Sequence, residues 1–230
     1  LEMIWTVIPA IALTVLVGFG LYYWFKITGE APKNAMEVEV TGSQFKWEFR
    51  YPGKDGILGK KYFKEIKEAK SNPLGQIWDD KANHDDVLVN QEMHIVAGRP
   101  VKLIINSKDV IHDVGLVHFR MKMDAVPGTP TTMWFTPKFT TTEAKKKWGP
   151  EFVYEISCDQ LCGKGHFSMR GTIVVDTQDE FDKWLASKKP QYFAAFPELD
   201  PEKPANPTDT TKVATVNKVS AIPADTKGIN

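Results

Sequence analysis

The chain has 230 residues, with 29 Lys plus Arg and 29 Asp plus Glu, so its formal net charge is zero. This balance argues against a nucleic-acid-binding protein, which usually carries a basic excess or a basic stripe. The length suits one compact domain with appendages.

An uncharged, strongly apolar stretch occupies residues 3–25. It is long enough to cross a bilayer as a helix, which needs about 20 apolar residues. A signal peptide would have a shorter apolar core, a basic segment before it and small residues after it. Here Glu2 precedes the stretch, and bulky aromatic residues followed by Lys26 end it, as at a membrane interface. The sequence therefore predicts a transmembrane helix over residues 1–27, in contact with membrane lipid; a buried core helix is the alternative.

Short segments in which apolar and polar residues alternate follow the helix, separated by turns rich in Gly and Pro. Alternation of this kind indicates half-buried strands. The segments are 36–40, 45–51, 87–90, 94–96, 101–106, 119–123, 131–135, 152–157 and 172–175. Many short strands at regular spacing favour a mainly β Greek-key sandwich or barrel over residues 35–176.

Three segments depart from this strand pattern. Residues 54–86 are polar and irregular, and we interpret them as an inserted surface excursion with a short helix around 62–69 and a solvated acidic end. Thr177 followed by Glu180 is a capping box, which predicts a closing helix over residues 177–189. Residues 190–230 have too few apolar side chains to fold alone, so we expect an irregular, extended tail that packs on partner subunits.

The chain's two cysteines lie in one short segment, Cys158-Asp-Gln-Leu-Cys162-Gly-Lys-Gly-His166-Phe-Ser-Met169. The segment follows one predicted strand directly and precedes another. A distant His112 lies in a turn of its own between predicted strands. Two thiols, two imidazoles and a thioether are therefore available as ligands for a soft or borderline metal ion.

Four interpretations of this segment compete. A disulfide explains neither the second histidine nor the methionine. A structural zinc site has no use for a thioether, and a mononuclear blue-copper site leaves one cysteine idle. Two copper ions bridged by the two sulfurs use all five side chains, and this is the interpretation that the residue types favour.

The chain resembles subunit II of haem–copper terminal oxidases, the cytochrome c oxidase family. The likeness covers about the first 190 residues apart from the 54–86 insertion. Besides the cysteine segment, it is carried by Glu2-Met-Ile-Trp5, Gly42-Ser-Gln44-Phe-Lys-Trp47, Asp109-Val-Ile-His112 and Asp124-Ala-Val-Pro127-Gly128. It implies a cupredoxin-like barrel outside the membrane that holds the dinuclear copper centre CuA.

The resemblance also implies a place in a larger complex. Electrons would pass from cytochrome c, or from a cytochrome c domain, through the copper centre to haem in subunit I, where oxygen is reduced and protons are pumped. We expect further oxidase subunits as partners, and a bacterial inner membrane with the copper domain on its periplasmic face. The family has two membrane helices and the likeness around Glu2 belongs to the second, so we expect an earlier span upstream of Leu1.

The resemblance implies a specific set of copper ligands. They are the side chains of His112, Cys158, Cys162, His166 and Met169 and the backbone carbonyl of Gln160. At position 160 the family usually has Glu, whose carboxylate reaches a Mg²⁺ ion at the boundary with subunit I. The neutral amide of Gln160 is a poorer partner for that hard cation, which weakens the expectation of magnesium.

Three further residues are candidates through the same resemblance. Glu2 aligns with a carboxylate at the mouth of a proton channel into subunit I; the alternative is an interfacial Glu favoured by its helix dipole. Phe45 stands where the family commonly has an exposed Trp over which cytochrome c docks. Trp47 follows on what we predict to be the same strand face, so both residues are electron-entry candidates; the alternative is that Phe45 is core.

Four acidic residues flank the copper segments and are expected to steer a basic cytochrome: Asp109, Asp113, Asp124 and Asp159. The remaining histidines, His84, His94 and His118, lack ligand-like spacing, and we interpret them as surface or structural residues.

Three other protein classes share some of these features. A thioredoxin-like copper chaperone would need neither the second histidine nor the methionine, and it would show an α/β pattern. The copper domain of nitrous-oxide reductase has a similar loop, but that enzyme carries a large second domain and no membrane helix. A quinol oxidase subunit II shares the fold but lacks the cysteines.

Overall fold

The computed structural model describes residues 1–202. Its helices and strands are α1 (Glu2–Thr28), β1 (Met36–Ser43), β2 (Lys46–Tyr51), β3 (Val87–Asn90), β4 (Glu92–Val96), β5 (Val101–Ser107), β6 (His112–Leu116), β7 (Met121–Ala125), β8 (Thr131–Phe135), α2 (Thr141–Trp148), β9 (Tyr154–Cys158), β10 (Arg170–Asp176), α3 (Gln178–Ala186) and α4 (Gln191–Ala195). The chain divides into two units, Leu1–Ala195 and Phe196–Asn230. The described part of the second unit contains a short 3-10 turn, Pro197–Leu199.

Two five-stranded sheets form the body of the first unit. One has the strand order β3-β2-β1-β5-β8 and the other β4-β10-β9-β6-β7. The pairs β1–β5 and β4–β10 are parallel, whereas the other neighbours are antiparallel. Side chains from both sheets fill one buried apolar core. The predicted fold class, a mainly β cupredoxin-like Greek-key barrel with an N-terminal apolar helix, is confirmed.

Helix α1 has the length and composition of a membrane span, and none of its residues is buried. Its apolar surface covers all sides, as expected for a helix whose surroundings are lipid or other membrane helices. At its end, the indole N–H of Trp134 in β8 donates a hydrogen bond to the carbonyl of Gly29 (2.8 Å). This bond ties the end of the helix to the sheet.

Strand register brings the predicted ligands to one end of the barrel. Cys158 ends β9 and pairs with Val114 of β6, so it lies beside His112 at the start of that strand. Met169 directly precedes β10, whose first residue pairs with Ser157. His112 therefore begins strand β6. The prediction that it lies in a turn between strands is wrong. All five residues of β6 are buried, which explains why no alternation marks it in the sequence.

The excursion between β2 and β3 differs from the prediction in two ways. The predicted helix around 62–69 is two separate 3-10 turns, Phe63–Glu65 and Glu68–Lys70. The acidic end is not simply solvated, because Asp86 is fully buried. Arg50 donates to the carboxylate of Asp86 (2.8 Å) and to that of Glu39 in β1 (2.6 Å). These buried ion pairs fasten the excursion to the first sheet.

Helix α2 was not predicted, although Thr140 and Glu143 form a capping box like that of α3. Its sequence is dominated by Thr and Lys, and Ala144 is its one buried residue in the described structure. α3 begins directly after Thr177, whose side chain accepts the predicted capping bond from the backbone of Glu180. Polar capping signals thus mark both helices, but only α3 carries an apolar stripe.

The start of the predicted tail packs on its own chain. Gln191 donates from its backbone to the carbonyl of Asp86 (2.9 Å) and from its side chain to that of Ser71 (2.7 Å). The ring of Tyr192 stacks on His84, with centroids 4.1 Å apart. Residues 203–230, the rest of that prediction, lie outside the described residues.

Candidate metal centre

Two thiols form the centre of the candidate site. The Sγ atoms of Cys158 and Cys162 lie 3.7 Å apart, and no disulfide joins them. Both residues are buried, at 7% and 4% exposure. Together with His112 they are the one group of three or more His, Cys, Asp or Glu residues in residues 1–202 whose ligand atoms all lie within 4.8 Å of one another.

An imidazole nitrogen lies beside each sulfur. His112 Nδ1 is 3.7 Å from Cys158 Sγ, and His166 Nδ1 is 3.6 Å from Cys162 Sγ. His112 is fully buried, whereas His166 is half-buried. His166 is therefore the more exposed imidazole of the two.

A thioether and a carbonyl complete the group. Met169 Sδ is 3.9 Å from Cys162 Sγ, and the side chain is fully buried. The backbone oxygen of Gln160 is 3.1 Å from Cys158 Sγ, while the residue itself is exposed. The structure thus brings together all six predicted ligand groups.

This set of donors fits copper. Thiolate and thioether are soft ligands that favour Cu(I), and imidazole suits both oxidation states of copper. Zinc sites use Cys, His and carboxylate ligands, so the buried thioether of Met169 beside the two sulfurs would have no role as a zinc ligand. The two sulfurs and the four further donors around them supply enough ligands for two metal ions, if the ions share the sulfurs.

Asp109 orients one of the imidazoles, which the sequence analysis did not foresee. Its Oδ1 lies 2.8 Å from His112 Nε2, and its Oδ2 accepts from the backbone N–H of Gln44 (2.7 Å). Burial alone would raise the pKa of Asp109, but these donors and the N–H of Val110 together lower it, so the carboxylate is ionised. It holds the proton of His112 on Nε2, which leaves the lone pair of Nδ1 directed at the sulfurs. The available signal was the spacing of an Asp three residues before the His.

The thiols must lose protons before they bind a metal ion. Burial, followed by the neighbouring Cys158 thiol, raises the pKa of Cys162 to about 11. Cys162 is therefore protonated at neutral pH in the metal-free chain, and metal binding must release that proton.

The two electron-entry candidates occupy different places. Phe45 lies in the turn between β1 and β2 and is half-buried, with its ring against Gly163 and Gly165 of the ligand loop. Trp47 lies within β2 and is fully buried, its ring edge-on to that of His112 at 6.1 Å between centroids. The prediction that both lie on one strand face is wrong, and only Phe45 reaches the surface.

The predicted acidic rim is smaller than expected. Asp113 is 3% exposed, and burial together with the neighbouring Asp124 raises its pKa to about 6. Asp109 is engaged by His112 as described above. Asp124 and Asp159 are exposed, so these two acids are left to interact with a partner.

The remaining candidates lie apart from the sulfur pair. Glu2 is exposed in the first turn of α1. Among the other histidines, His94 is buried between carboxylates of Glu92 and Asp176, and the ring of His118 packs near that of Phe152, at 4.8 Å. These two histidines have structural contacts, as predicted.

Comparisons with known proteins identify the family of this chain. Residues 36–178 match the family described as cytochrome c oxidase subunit II, periplasmic domain. The alternative cytochrome c oxidase subunit 2 of Bradyrhizobium diazoefficiens is 36% identical over 180 residues, which are 78% of this chain and 60% of that protein. The probable cytochrome c oxidase subunit 2 of Rickettsia conorii is 32% identical over 189 residues, 82% of this chain and 53% of that protein.

A solved structure is similar as well. The periplasmic domain of subunit II of a cytochrome oxidase from Bradyrhizobium japonicum is 21% identical, with a TM-score of 0.48, over 69% of this chain and 96% of that domain. The chain spans 53% to 60% of the length of the two curated relatives. Its apolar α1 and the matched domain describe a membrane-anchored protein with a periplasmic domain. The family match covers well over half of the sequence, and the chain therefore belongs to the cytochrome c oxidase subunit II family.

Proposed function

We propose that this chain is the electron-entry subunit of a haem–copper oxidase and holds a dinuclear copper centre. The ligands are His112, Cys158, Cys162, His166 and Met169 together with the carbonyl of Gln160. The observation that carries the proposal is the pair of unbonded sulfurs 3.7 Å apart, surrounded by two imidazole nitrogens, a thioether and a carbonyl.

Bound there, a copper pair would supply a one-electron couple between a reduced cytochrome c and haem in subunit I. The protein's part is to keep the ligands in place through that cycle. Cys158 and Met169 are fixed by the ends of β9 and β10, and His112 is fixed by β6 and Asp109. Ligands held by strands move little, so a change of oxidation state costs little reorganisation.

The surface around the ligand loops suits a docking partner. Leu161 and Phe167, both within the cysteine segment, are 78% and 79% exposed, and Ile111 beside His112 is 47% exposed. Large apolar side chains exposed next to a functional site commonly mark an interaction surface. The ring of Phe45 packs against the same ligand loop, and Asp124 and Asp159 add negative charge. This combination favours a partner with an apolar contact patch and a basic rim, as expected for a cytochrome c.

Three finer predictions belong to the same proposal. Glu2 is the candidate entrance to a proton channel of subunit I, at the cytoplasmic side of a bacterial inner membrane. The side chain of Gln160 is exposed, and it would offer a magnesium ion at the subunit I boundary only a neutral amide. Haem belongs to the partner subunits alone.

Electron uptake tests the proposal directly. The purified, copper-loaded chain is mixed with ferrocytochrome c, and oxidation of the cytochrome is followed by stopped-flow absorbance. We expect one electron to be accepted per chain, since the two copper ions form one couple. Chains with Cys158→Ser or Cys162→Ser should accept none at this rate, because each lacks one of the two sulfurs that would hold the copper.

A matched control separates loss of the site from loss of the fold. Ser157→Ala alters a neighbouring hydroxyl whose hydrogen bond goes to exposed Asp159, and it should leave electron uptake unchanged. Normal uptake by a chain lacking either cysteine would contradict a centre built on both sulfurs.

A further inference from the structure

One residue outside the ligand set contacts both ligand-bearing segments. Gln44, in the turn between β1 and β2, donates its backbone N–H to Asp109 Oδ2 (2.7 Å). Its side-chain amide donates to the carbonyl oxygen of Cys162 (2.6 Å). Through Asp109 it is connected to His112, and through the carbonyl it is connected directly to a cysteine.

The loop that carries Cys162 has few other supports. The ladder between β6 and β9 joins Val114 to Cys158 and Gly115 to Ser157, and the N–H of Asp159 still donates to the carbonyl of Asp113 (3.3 Å). The chain leaves the sheet directly after that bond. In residues 1–202, no other hydrogen bond reaches the carbonyl of Cys162. The Gln44 carboxamide therefore fixes the part of the loop that the strands do not.

The same turn closes over the loop by packing. A Cβ added at Gly165 would lie 2.5 Å from the ring of Phe45, and one added at Gly163 would lie 2.9 Å from Gln44 Nε2. Contacts this close leave no room for side chains, so loop and turn fit against each other directly. The ring supplies the apolar contact and the amide supplies the hydrogen bond.

We propose that Gln44 is a positioning residue, which braces the Cys162 loop against the Asp109–His112 segment. This inference rests on the proposed copper centre for its role, although the brace itself is a property of the metal-free chain. It assigns the two residues of the turn different tasks: Phe45 faces the partner, and Gln44 holds the ligands.

Two substitutions of Gln44 in the full, copper-loaded chain test the brace. Gln44→Ala removes the amide, and Gln44→Glu keeps its length but offers no N–H to the carbonyl. We expect both variants to release copper to a Cu(I) chelator about fivefold faster than wild type, the factor that one neutral hydrogen bond is worth. The thiolate-to-copper absorption bands should shift, while the copper content after loading stays normal. Gln178→Ala, beyond the opposite end of β10, is the matched control and should change neither property.

A measurement without copper distinguishes failure of this inference from failure of the proposed function. In the metal-free chain, iodoacetamide should modify Cys162 about fivefold faster in both Gln44 variants, as determined by peptide mass spectrometry. Wild-type rates in both variants, or a Gln44→Glu chain that behaves as wild type in both assays, would overturn the brace. If wild type took up no copper while the alkylation rates still differed, the brace would stand and the copper proposal would fail.

Discussion

Replacing Asp109 by Asn should weaken copper binding without removing any ligand. The carboxylate uses both oxygens: Oδ1 faces the N–H groups of His112 and Val110, and Oδ2 accepts from Gln44. Asparagine has one acceptor oxygen, so its NH₂ group must face an N–H on one of the two sides. A hydrogen bond to a charged group is worth about 1.5–3 kcal/mol, and loss of such a partner behind a metal-bound imidazole typically lowers affinity 10- to 100-fold. We therefore expect the affinity of the chain for copper to fall by a factor in that range.

Competition with a Cu(I) chelator of known affinity measures this change in the purified chain. Asp79→Asn serves as the control, because Asp79 is exposed on the excursion and away from the ligand segments. Circular dichroism verifies that each variant is folded. An Asp109→Asn chain that binds copper as tightly as the control would refute the conclusion that this carboxylate orients His112.

Three further predictions concern the excursion and the docking surface. Arg50→Met should lower the free energy of unfolding by about 3–5 kcal/mol, since it leaves buried Asp86 without its cation and leaves Glu39 with Lys61 alone, whereas exposed Arg120→Met should change it by less than about 0.5 kcal/mol. Denaturant titration measures both, and equal effects would contradict the buried network. Burial, partly offset by Arg50, raises the pKa of Asp86 to about 7, above its unfolded value of about 3.9. Between these two pKa values the folded state holds a proton that the unfolded state has lost, so the contribution of Asp86 to stability falls as pH rises from about 4 to about 7. Asp86→Asn should remove that part of the pH dependence of the free energy of unfolding. An unchanged pH dependence would refute the raised pKa of Asp86. Phe45→Ala should slow electron uptake from ferrocytochrome c while the copper spectrum stays normal, and an unchanged rate would place the docking surface elsewhere.

Local patterns in the sequence predicted most of the fold. The strands at 87–90 and 131–135 have the predicted bounds, because alternating side chains there face one core. A capping box and an apolar stripe located α3. Strand β6 was not predicted because both of its faces are buried, and helix α2 was not predicted because it buries a single alanine. Periodicity reports one-sided burial, so elements buried on both faces or on almost none carry little of it.

The candidate site was predictable to the extent that its ligands are close in sequence. Four of them lie in one segment, and the fifth side chain, His112, was found through its own motif. The role of Gln44 depends on contacts across 65 and 118 positions, which join the turn to the His112 segment and to the Cys162 loop. Such contacts are set by how the sheets pack, and no local pattern encodes them.

The excursion shows the same limit for buried charge. Its composition is that of a solvated loop, yet Asp86 is fully buried because Arg50 from β2 reaches it. An ion pair between residues far apart in sequence leaves no periodic signal. The charge content of the excursion therefore predicted that Asp86 is exposed, whereas the fold buries it and provides Arg50 as its partner.

The central claim is that the two sulfurs hold two copper ions as one redox unit. Copper and protein should be quantified in the same sample of the loaded chain, and an electron paramagnetic resonance spectrum recorded in the oxidised form. We predict two copper ions per chain and one unpaired electron whose hyperfine pattern shows both copper nuclei. One copper ion per chain, or the spectrum of an isolated Cu(II), would contradict the claim.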